Sequence, residues 1–262
     1  MLSISPHRVR KGGPGLRIFR PTRSAALCLL LAALLACSLS SASAAENLNS
    51  SLREAVHSVP VAAAGASIVV TSFRPRGNGP FPWIVHSHGT AGTVKENRAI
   101  GRNRNLGLAR QCVQRGYAVF VPVRRGYGAS GGKFGDSYGG CGRADFRRAG
   151  EGAALDLLAV VEWAKAQPDL DAKRWLLAGQ SAGGFASIYT ASKRPAGLAA
   201  VLAFAPGRGG RPDTHPGETC ASDRMAELFA AIAPQVAVLD RRYRELAVRS
   251  VAVACDAKDA AK

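Results

Sequence analysis

The sequence predicts an α/β fold in which a mainly parallel, doubly wound sheet is flanked by helices. Three strand-length segments, 117–122, 174–178 and 198–204, are largely apolar and lack the polar alternation of a half-exposed strand. Such strands are typical of a sheet that is covered on both faces. Helical segments at 144–167 and 182–193 separate the strands along the chain. This alternation favours parallel strands with helices on both sides.

Two further strands and a helix are predicted before these segments. Residues 67–73 alternate and are rich in β-branched side chains, and residues 82–86 are mostly apolar. Between them, residues 74–80 contain Gly, Pro and Asn, which indicates a turn. Residues 103–115 place apolar side chains at helical spacing, and Gly116 is expected to end that helix.

The segment Gly179-Gln180-Ser181-Ala182-Gly183 joins a predicted strand to a predicted helix and places a serine at the turn. A Gly-x-Ser-x-Gly turn at such a junction holds the serine in a strained conformation, and glycines flank it because strand and helix pack too closely for a Cβ atom. We expect the Ser181 hydroxyl to point out of the turn and the Ala182 N–H to face an oxyanion formed there. A glycine- and serine-rich turn without chemistry is the alternative.

The first 44 residues have the pattern of a signal peptide. Six basic residues occur before the first acidic residue, an apolar run covers residues 25–36, and small residues lead to Ala44. The apolar run is shorter than the roughly 20 residues that span a bilayer. We therefore expect cleavage after Ala44, export to the periplasm or the exterior, and no transmembrane span in the mature chain.

A lipid anchor is the alternative to release. Leu34-Leu35-Ala36-Cys37 resembles the segment at which bacterial lipoproteins are cut and acylated on cysteine. Anchoring through Cys37, or an uncleaved anchor, would then hold the protein at the membrane.

Residues 45–262 are expected to form one domain with a substantial core. Removal of residues 1–44 lowers the net charge from +17 to +11, because that segment contains six basic and no acidic residues. The remaining basic residues are spread along the chain without a basic block that alternates with aromatic residues, so nucleic-acid binding is not expected. No Cys-x-x-Cys or histidine-rich spacing suggests a metal, and no organic cofactor is implied.

Four cysteines follow the predicted signal peptide: Cys112, Cys141, Cys220 and Cys255. In an oxidising compartment four cysteines allow three pairings. We predict a Cys141–Cys220 disulfide, because both cysteines fall in loops that should leave the same edge of the sheet. Cys112 lies in a predicted helix and is interpreted as a buried free thiol.

Three motifs follow three successive predicted strands, and their order resembles that of the α/β-hydrolases. Within that superfamily the chain is most similar to the secreted dienelactone-hydrolase-like and prolyl-oligopeptidase-type enzymes, over roughly residues 55–233. The motifs are His88-Gly89-Thr90, Arg125-Gly126-Tyr127-Gly128-x-Ser130-Gly131 and Gly179-x-Ser181-x-Gly183.

The resemblance implies a serine hydrolase that acts on a small-molecule ester or related acyl substrate. Ser181 would be the nucleophile, and the N–H groups of Ala182 and Thr90 would form the oxyanion hole. Two fixed backbone donors stabilise the charge of a tetrahedral intermediate by several kcal/mol. His88 is expected to shape the oxyanion loop rather than to transfer protons.

The chain departs from the superfamily pattern after about residue 233. A nucleophilic serine needs a base and a group that orients the base, and the superfamily supplies both after later strands. Here no histidine follows His215. The segment 235–239 is predicted to be a strand, and Asp240, which follows it, is the candidate acid; a helix N-cap before Arg241 is its alternative. His215 is the candidate base, and an exposed loop histidine is its alternative. We interpret residues 234–262 as an atypical tail that leaves the C-terminal part of the fold incomplete, through gene degradation, a frameshift or a gene-model error.

Two alternatives to an active esterase remain open. One is a catalytically impaired or binding-only homologue that keeps the nucleophile turn without its base. The other is a serine peptidase of the prolyl-oligopeptidase type, which usually carries a large additional domain.

Overall fold

The computed structural model describes residues 47–211 and 215–240, without the side chains of 211–218 and 234–240. The fold described below lies within the compact unit Leu48–Lys262. The predicted signal peptide, Cys37 and the segment 241–262 lie outside the described residues.

Six strands form one mixed sheet in the order β1-β2-β4-β3-β5-β6. The pairs β3–β4, β3–β5 and β5–β6 are parallel, whereas β1–β2 and β2–β4 are antiparallel. A second, two-stranded sheet pairs β7 with β8. The strands are β1 (Ala55–Val61), β2 (Ala66–Phe73), β3 (Phe81–Ser87), β4 (Ala118–Pro122), β5 (Leu170–Gln180), β6 (Leu198–Phe204), β7 (Gly210–Arg211) and β8 (His215–Thr219).

In the described part of the chain, five α-helices connect or follow these strands. Side chains cap three of them: Thr93 and Glu96 form a capping box on the first, and Asn105 and Asp145 accept N–H bonds at the starts of the next two. The helices are α1 (Val94–Ala99), α2 (Leu106–Gln114), α3 (Phe146–Lys165), α4 (Ala182–Ser192) and α5 (Ser222–Asp240).

The core lies on both faces of the sheet, as the α/β prediction requires. Because side chains alternate along a strand, Trp83 of β3 packs with the α3 side, where its ring stacks on Trp175 at 5.1 Å. The next residue, Ile84, belongs to the opposite cluster together with Cys112 of α2. The α/β sheet flanked by helices is therefore confirmed.

The predicted strand at 235–239 is wrong, because α5 continues as a helix from Ser222 to Asp240. A short apolar run cannot be assigned to strand or helix by periodicity alone. Here the run extends a helix that is already formed. Asp240 is consequently the last residue of a helix, not the residue that follows a strand.

The predicted Cys141–Cys220 disulfide is confirmed, with a Cα–Cα distance of 5.5 Å. Cys141 lies in the segment that leads into α3, and Cys220 lies just before α5 begins at Ser222. The interpretation of Cys112 as a free thiol is wrong, because Cys112 is also disulfide-bonded. Its burial in the core alone could not distinguish a thiol from a half-cystine, and its partner lies outside the described residues.

Within the described residues, the helices are all too short or too polar to cross a membrane.

Replacement of both Cys141 and Cys220 by Ala should lower the free energy of unfolding by about 2–5 kcal/mol, since the bond closes a long loop in the unfolded chain. The two cysteines are 79 positions apart. Guanidinium unfolding of the double variant against the parent chain measures this. A change below about 0.5 kcal/mol would show that the bond constrains neither the folded nor the unfolded chain.

Candidate active site

Ser181 adopts a backbone conformation that few non-glycine residues occupy, with φ 53° and ψ −122°. Such a conformation costs about 1–3 kcal/mol and persists only where surrounding contacts impose it. The N–H of Ser181 donates to Phe204 O at 2.9 Å, and Gly207 N donates to Ser181 O at 3.2 Å. The end of β6 and the loop after it thus hold the turn, and the Ser181 side chain is exposed.

Close packing explains the two glycines that flank the turn. A Cβ atom on Gly179 would lie 2.3 Å from the carbonyl carbon of Gly183. On Gly183 it would lie 2.0 Å from Ser87 O and 2.6 Å from His88 O. Real Cβ atoms do not approach that closely, so any larger residue would push α4 away from β3.

The loop after β3 lies directly against the serine turn. A Cβ atom on Gly89 would be 3.6 Å from Ser181 Cβ and 3.4 Å from Gln180 O. Thr90 follows in this loop. Ala182 is the first residue of α4, and the first N–H groups of a helix have no carbonyl partner within it. The fold therefore brings both segments that were predicted to bind an oxyanion next to Ser181.

His88 uses both ring nitrogens to hold backbone groups. Its Nδ1 lies 2.6 Å from Gly89 O, and its Nε2 accepts a bond from Arg124 N at 3.1 Å. Nε2 therefore carries no proton, and Nδ1–H is the donor to Gly89. Burial and the neighbouring Arg124 lower the pKa of His88 to about 3. A ring that is neutral and fully bonded supports the loop and cannot act as the base.

His86 is also unsuited to proton transfer. Its Nε2 lies 3.2 Å from Asn105 Nδ2, and burial lowers its pKa to about 4. His57 lies on β1, where its Nε2 is 2.7 Å from Ser72 Oγ and its ring packs on Trp163. Among the described side chains, none of these histidines hydrogen-bonds to Ser181.

Arg124 is fully buried beneath the loop after β3. Its Nη1 donates to Ser87 Oγ and to His88 O, both at 2.6 Å, and its Nε donates to Asp136 Oδ2 at 3.1 Å. One guanidinium thus ties the end of β3 to the loop that follows β4.

Asp136 is the centre of a buried polar cluster. It accepts hydrogen bonds from Arg124 Nε and from the Tyr127 hydroxyl at 2.9 Å, and it forms an ion pair with Arg208 Nη1 at 3.3 Å. Burial raises the pKa of Asp136, but Arg208 and Arg124 outweigh burial and hold this pKa below its ordinary value. Burial and the Asp136 charge raise the pKa of Tyr127, so its hydroxyl remains protonated.

A cavity of about 240 Å³ opens beside the Gly89–Thr90 loop. Thr90, Tyr127, Tyr138 and Arg208 are among the residues that line it. Arg208 directly follows Gly207, whose N–H holds the Ser181 carbonyl. The cavity and the serine turn therefore share one loop.

The roles of His215 and Asp240 stay predictions. His215 begins β8, where its backbone is in register with Arg211, and Asp240 ends α5. Both side chains lie outside the described part of the chain.

The buried cluster around Asp136 is not predicted by the sequence. Arg124 and Asp136 are 12 positions apart in a glycine-rich loop, and Arg208 lies in the loop after β6, beyond the serine helix in the chain. The sequence shows only one sign of this cluster, which is an arginine immediately after an apolar strand.

The sheet and the serine turn define an α/β-hydrolase, which confirms the predicted superfamily. A family model described as X-Pro dipeptidyl-peptidase (S15 family) matches residues 64–259. The chain belongs to this family. The match runs through much of the segment 234–262 that was interpreted as atypical.

Solved structures with a similar fold include hydrolases and peptidases. A predicted CIB-like hydrolase from Thermoplasma acidophilum is 20% identical with a TM-score of 0.41, over 59% of this chain and 63% of its own. An esterase of Pyrococcus furiosus is 20% identical (TM-score 0.43; 60% and 53%). A putative dipeptidyl aminopeptidase IV from Bacteroides ovatus is 22% identical (TM-score 0.48; 58% and 21%). The chain thus spans less than two thirds of each. No curated protein matches the sequence significantly.

Replacement of Gly183 by Ala should lower the free energy of unfolding by about 1–3 kcal/mol, because the new methyl group meets the Ser87 carbonyl. Gly107→Ala is the matched control: Gly107 is also the second residue of a helix, but nothing lies within 4 Å of a Cβ there. This control should leave stability unchanged or raise it by up to about 1 kcal/mol. Urea unfolding of both variants checks the difference, and equal effects would contradict the close packing.

The imidazole of His88 should stay neutral in the folded protein at pH 5, since its pKa is lowered from 6.5 to about 3. Below pH 6.5 the unfolded chain binds a proton that the folded chain excludes, so stability falls as the pH drops from 6.5 toward 3. Above 6.5 this group has no effect on stability. Nitrogen NMR of the histidine rings measures the protonation state. Protonation of His88 near pH 6 in folded protein would overturn its structural role.

Proposed function

We propose that this chain is an exported serine hydrolase that cleaves carboxylic esters or related acyl compounds through Ser181. The observation that carries the proposal is the serine turn: an exposed hydroxyl at φ 53°, at the N-terminus of α4 and against the Gly89–Thr90 loop. Family membership supports hydrolysis as the reaction class.

In the proposed reaction Ser181 Oγ attacks the substrate carbonyl carbon and gives up its proton to a base. The carbonyl oxygen gains negative charge, which the N–H groups of Ala182 and Thr90 stabilise together with the positive end of α4. The tetrahedral intermediate collapses, the alcohol leaves with a proton, and an acyl-Ser181 ester remains. Water then attacks this ester, releases the carboxylic acid and restores the hydroxyl.

The base is the part of this scheme that distinguishes the proposal from its main alternative. His86 and His88 are buried and neutral, and His57 is bonded on β1, which leaves His215 as the candidate in the segment beside the cavity. If His215 does not reach Ser181, the chain fits the alternative of a catalytically impaired or binding-only homologue. Loss of the general base removes several orders of magnitude of rate.

Peptide hydrolysis is the second candidate function, and the family match favours it directly. An X-Pro dipeptidyl peptidase must recognise the free amino terminus of its substrate. The described walls of the cavity beside Thr90 contain Arg208 and no carboxylate. The positive charge of Arg208 favours an ester or acyl substrate over a positively charged peptide amino terminus.

Export is proposed on two grounds. The first 44 residues have the pattern of a signal peptide. The Cys141–Cys220 disulfide is of the kind that persists in oxidising compartments.

A fluorophosphonate probe should label the parent chain at Ser181, because the probe reacts with an activated serine hydroxyl beside an oxyanion hole. Ser181→Ala should abolish labelling and lower hydrolysis of para-nitrophenyl acetate by at least about a thousandfold. Mass spectrometry of the labelled peptide locates the modified residue.

Ser187→Ala is the control for this experiment, since Ser187 lies in the same helix but is buried, and its single hydroxyl proton is shared between Ala178 O at 3.0 Å and Gly183 O at 2.9 Å. It should retain labelling. Well-folded parent protein that resists the probe would support the binding-only alternative. Faster hydrolysis of an Ala-Pro-para-nitroanilide than of the acetate ester would favour the peptidase.

A further inference from the structure

The edge of the sheet opposite the serine turn is basic. The parallel strands β3, β5 and β6 all start at this edge, and Ser181 directly follows the end of β5. Lys173 lies near the start of β5, so the length of the strand separates it from the serine turn by roughly 20 Å. The name basal face is used below for the surface formed at this edge by residues 53, 74–80, 169–174 and 193–197.

Direct contacts join the segments of the basal face into one surface. Arg53 Nη1 donates to two carbonyl oxygens of the loop 74–80, at 2.8 and 3.2 Å. The N–H that follows this loop donates to Asp169 O at 2.8 Å. Trp175 N donates to Gly197 O at 3.2 Å, which brings the turn before β6 against the start of β5. The four segments are therefore neighbours in space.

Carboxylates neutralise only part of the charge of the basal face. Arg74 Nε pairs with Asp169 Oδ2 at 2.8 Å, and Arg174 Nε lies 3.6 Å from Asp171 Oδ2. The other four cations of this face are exposed and have no carboxylate partner among the described residues. They are Arg53, Arg76, Lys173 and Arg194.

The undescribed parts of the chain do not reverse this excess. Residues 45–46 and 234–262 together contain six basic and five acidic residues, so as a group they add positive charge. The side chains of 211–218 follow Gly210, which lines the cavity beside Thr90 at the opposite edge of the sheet. The basal face therefore keeps its positive charge.

The chain enters the compact unit Leu48–Lys262 beside this face. Leu52 O accepts a bond from Arg74 N at 3.0 Å, and Leu48, four residues earlier, is an apolar side chain that is 47% exposed. Apolar side chains beside cations are the combination that binds a membrane–water interface. A lipid on Cys37, the alternative to release, would be attached upstream of this same face.

We propose that the basal face binds the phosphate headgroups of an anionic lipid bilayer. Clusters of four or more Lys and Arg side chains attract anionic lipid, and export would bring the chain to the lipids of the envelope. Nucleic acid is a poorer partner, because aromatic side chains on which bases could stack do not alternate with these cations. A chain bound through the basal face holds Ser181 and the cavity on the side away from the membrane.

The first test measures flotation of residues 45–262, which contain the whole compact unit, with lipid vesicles. Vesicles of phosphatidylcholine with about 30% phosphatidylglycerol should bind the protein at low salt, and vesicles of phosphatidylcholine alone should not. Sodium chloride at about 0.5 M should release the protein, because salt screens exposed charges. Equal binding to the two kinds of vesicle, or binding to neither, would overturn the proposal.

The second test neutralises three exposed cations of the basal face in one variant. Its affinity for the anionic vesicles should fall about ten- to a hundredfold, since each cation near the surface adds to the attraction. The substitutions are Arg76→Gln, Lys173→Gln and Arg194→Gln.

The matched control neutralises three exposed cations outside the basal face, so both variants have the same net charge. The control should bind within about threefold of the parent, because its cations lie away from the docked surface. Equal losses in the two variants would show a response to net charge alone and would overturn the proposal. If the basal variant does not fold, Arg76→Gln alone should still weaken binding. The control substitutions are Lys95→Gln, Arg110→Gln and Lys133→Gln.

Hydrogen exchange locates the bound surface, and a soluble polyanion tests the kind of partner. With anionic vesicles, amides of 74–80 and 193–197 should gain protection, whereas amides of 90–97 beside the cavity should not. Protection confined to 90–97 would overturn the orientation. Polyglutamate that binds the parent as tightly as the vesicles do would assign the face to a soluble polyanion and contradict the membrane proposal. These measurements do not depend on the reactivity of Ser181.

Discussion

The burial of the Arg124 guanidinium is the constraint on which the arrangement of this site depends. A charge removed from water needs acceptors, and here Ser87, His88 and Asp136 supply them to Nη1 and Nε, whereas Nη2 has no hydrogen-bond partner among the described residues. These acceptors belong to the end of β3 and to the loop after β4, so their bonds to one side chain tie the two segments together. The same His88 carbonyl lies against Gly183, at the start of the serine helix. The loop after β3 is thus held between the buried Arg124 and the serine helix, which approaches this closely because residue 183 is a glycine.

His88 contributes to this arrangement by staying neutral. Its ring accepts a bond from the Arg124 N–H and donates one to the Gly89 carbonyl. Protonation of Nε2 would replace this acceptor with an N–H group that faces the Arg124 N–H. A histidine close to the serine turn is therefore part of the scaffold.

Features determined by neighbouring residues could be predicted from the sequence. The serine turn follows from glycines at fixed offsets, and the parallel strands follow from unbroken apolar runs. Features that need distant partners could not: Arg208 joins Asp136 from 72 positions away, and Cys112 is paired beyond its helix. The strand predicted at 235–239 was wrong for a third reason: an apolar run of five residues has no period that distinguishes a helix from a strand.

The Cys141–Cys220 bond has a consequence for the cavity rather than for the serine turn. Cys220 N donates to Gly209 O, beside Arg208, and Cys141 lies two positions after Gly139, another residue that lines the cavity. The bond therefore crosslinks two segments of the cavity wall. A chain that matured without oxidation would keep the strained turn at Ser181 and would have a cavity with an untethered wall.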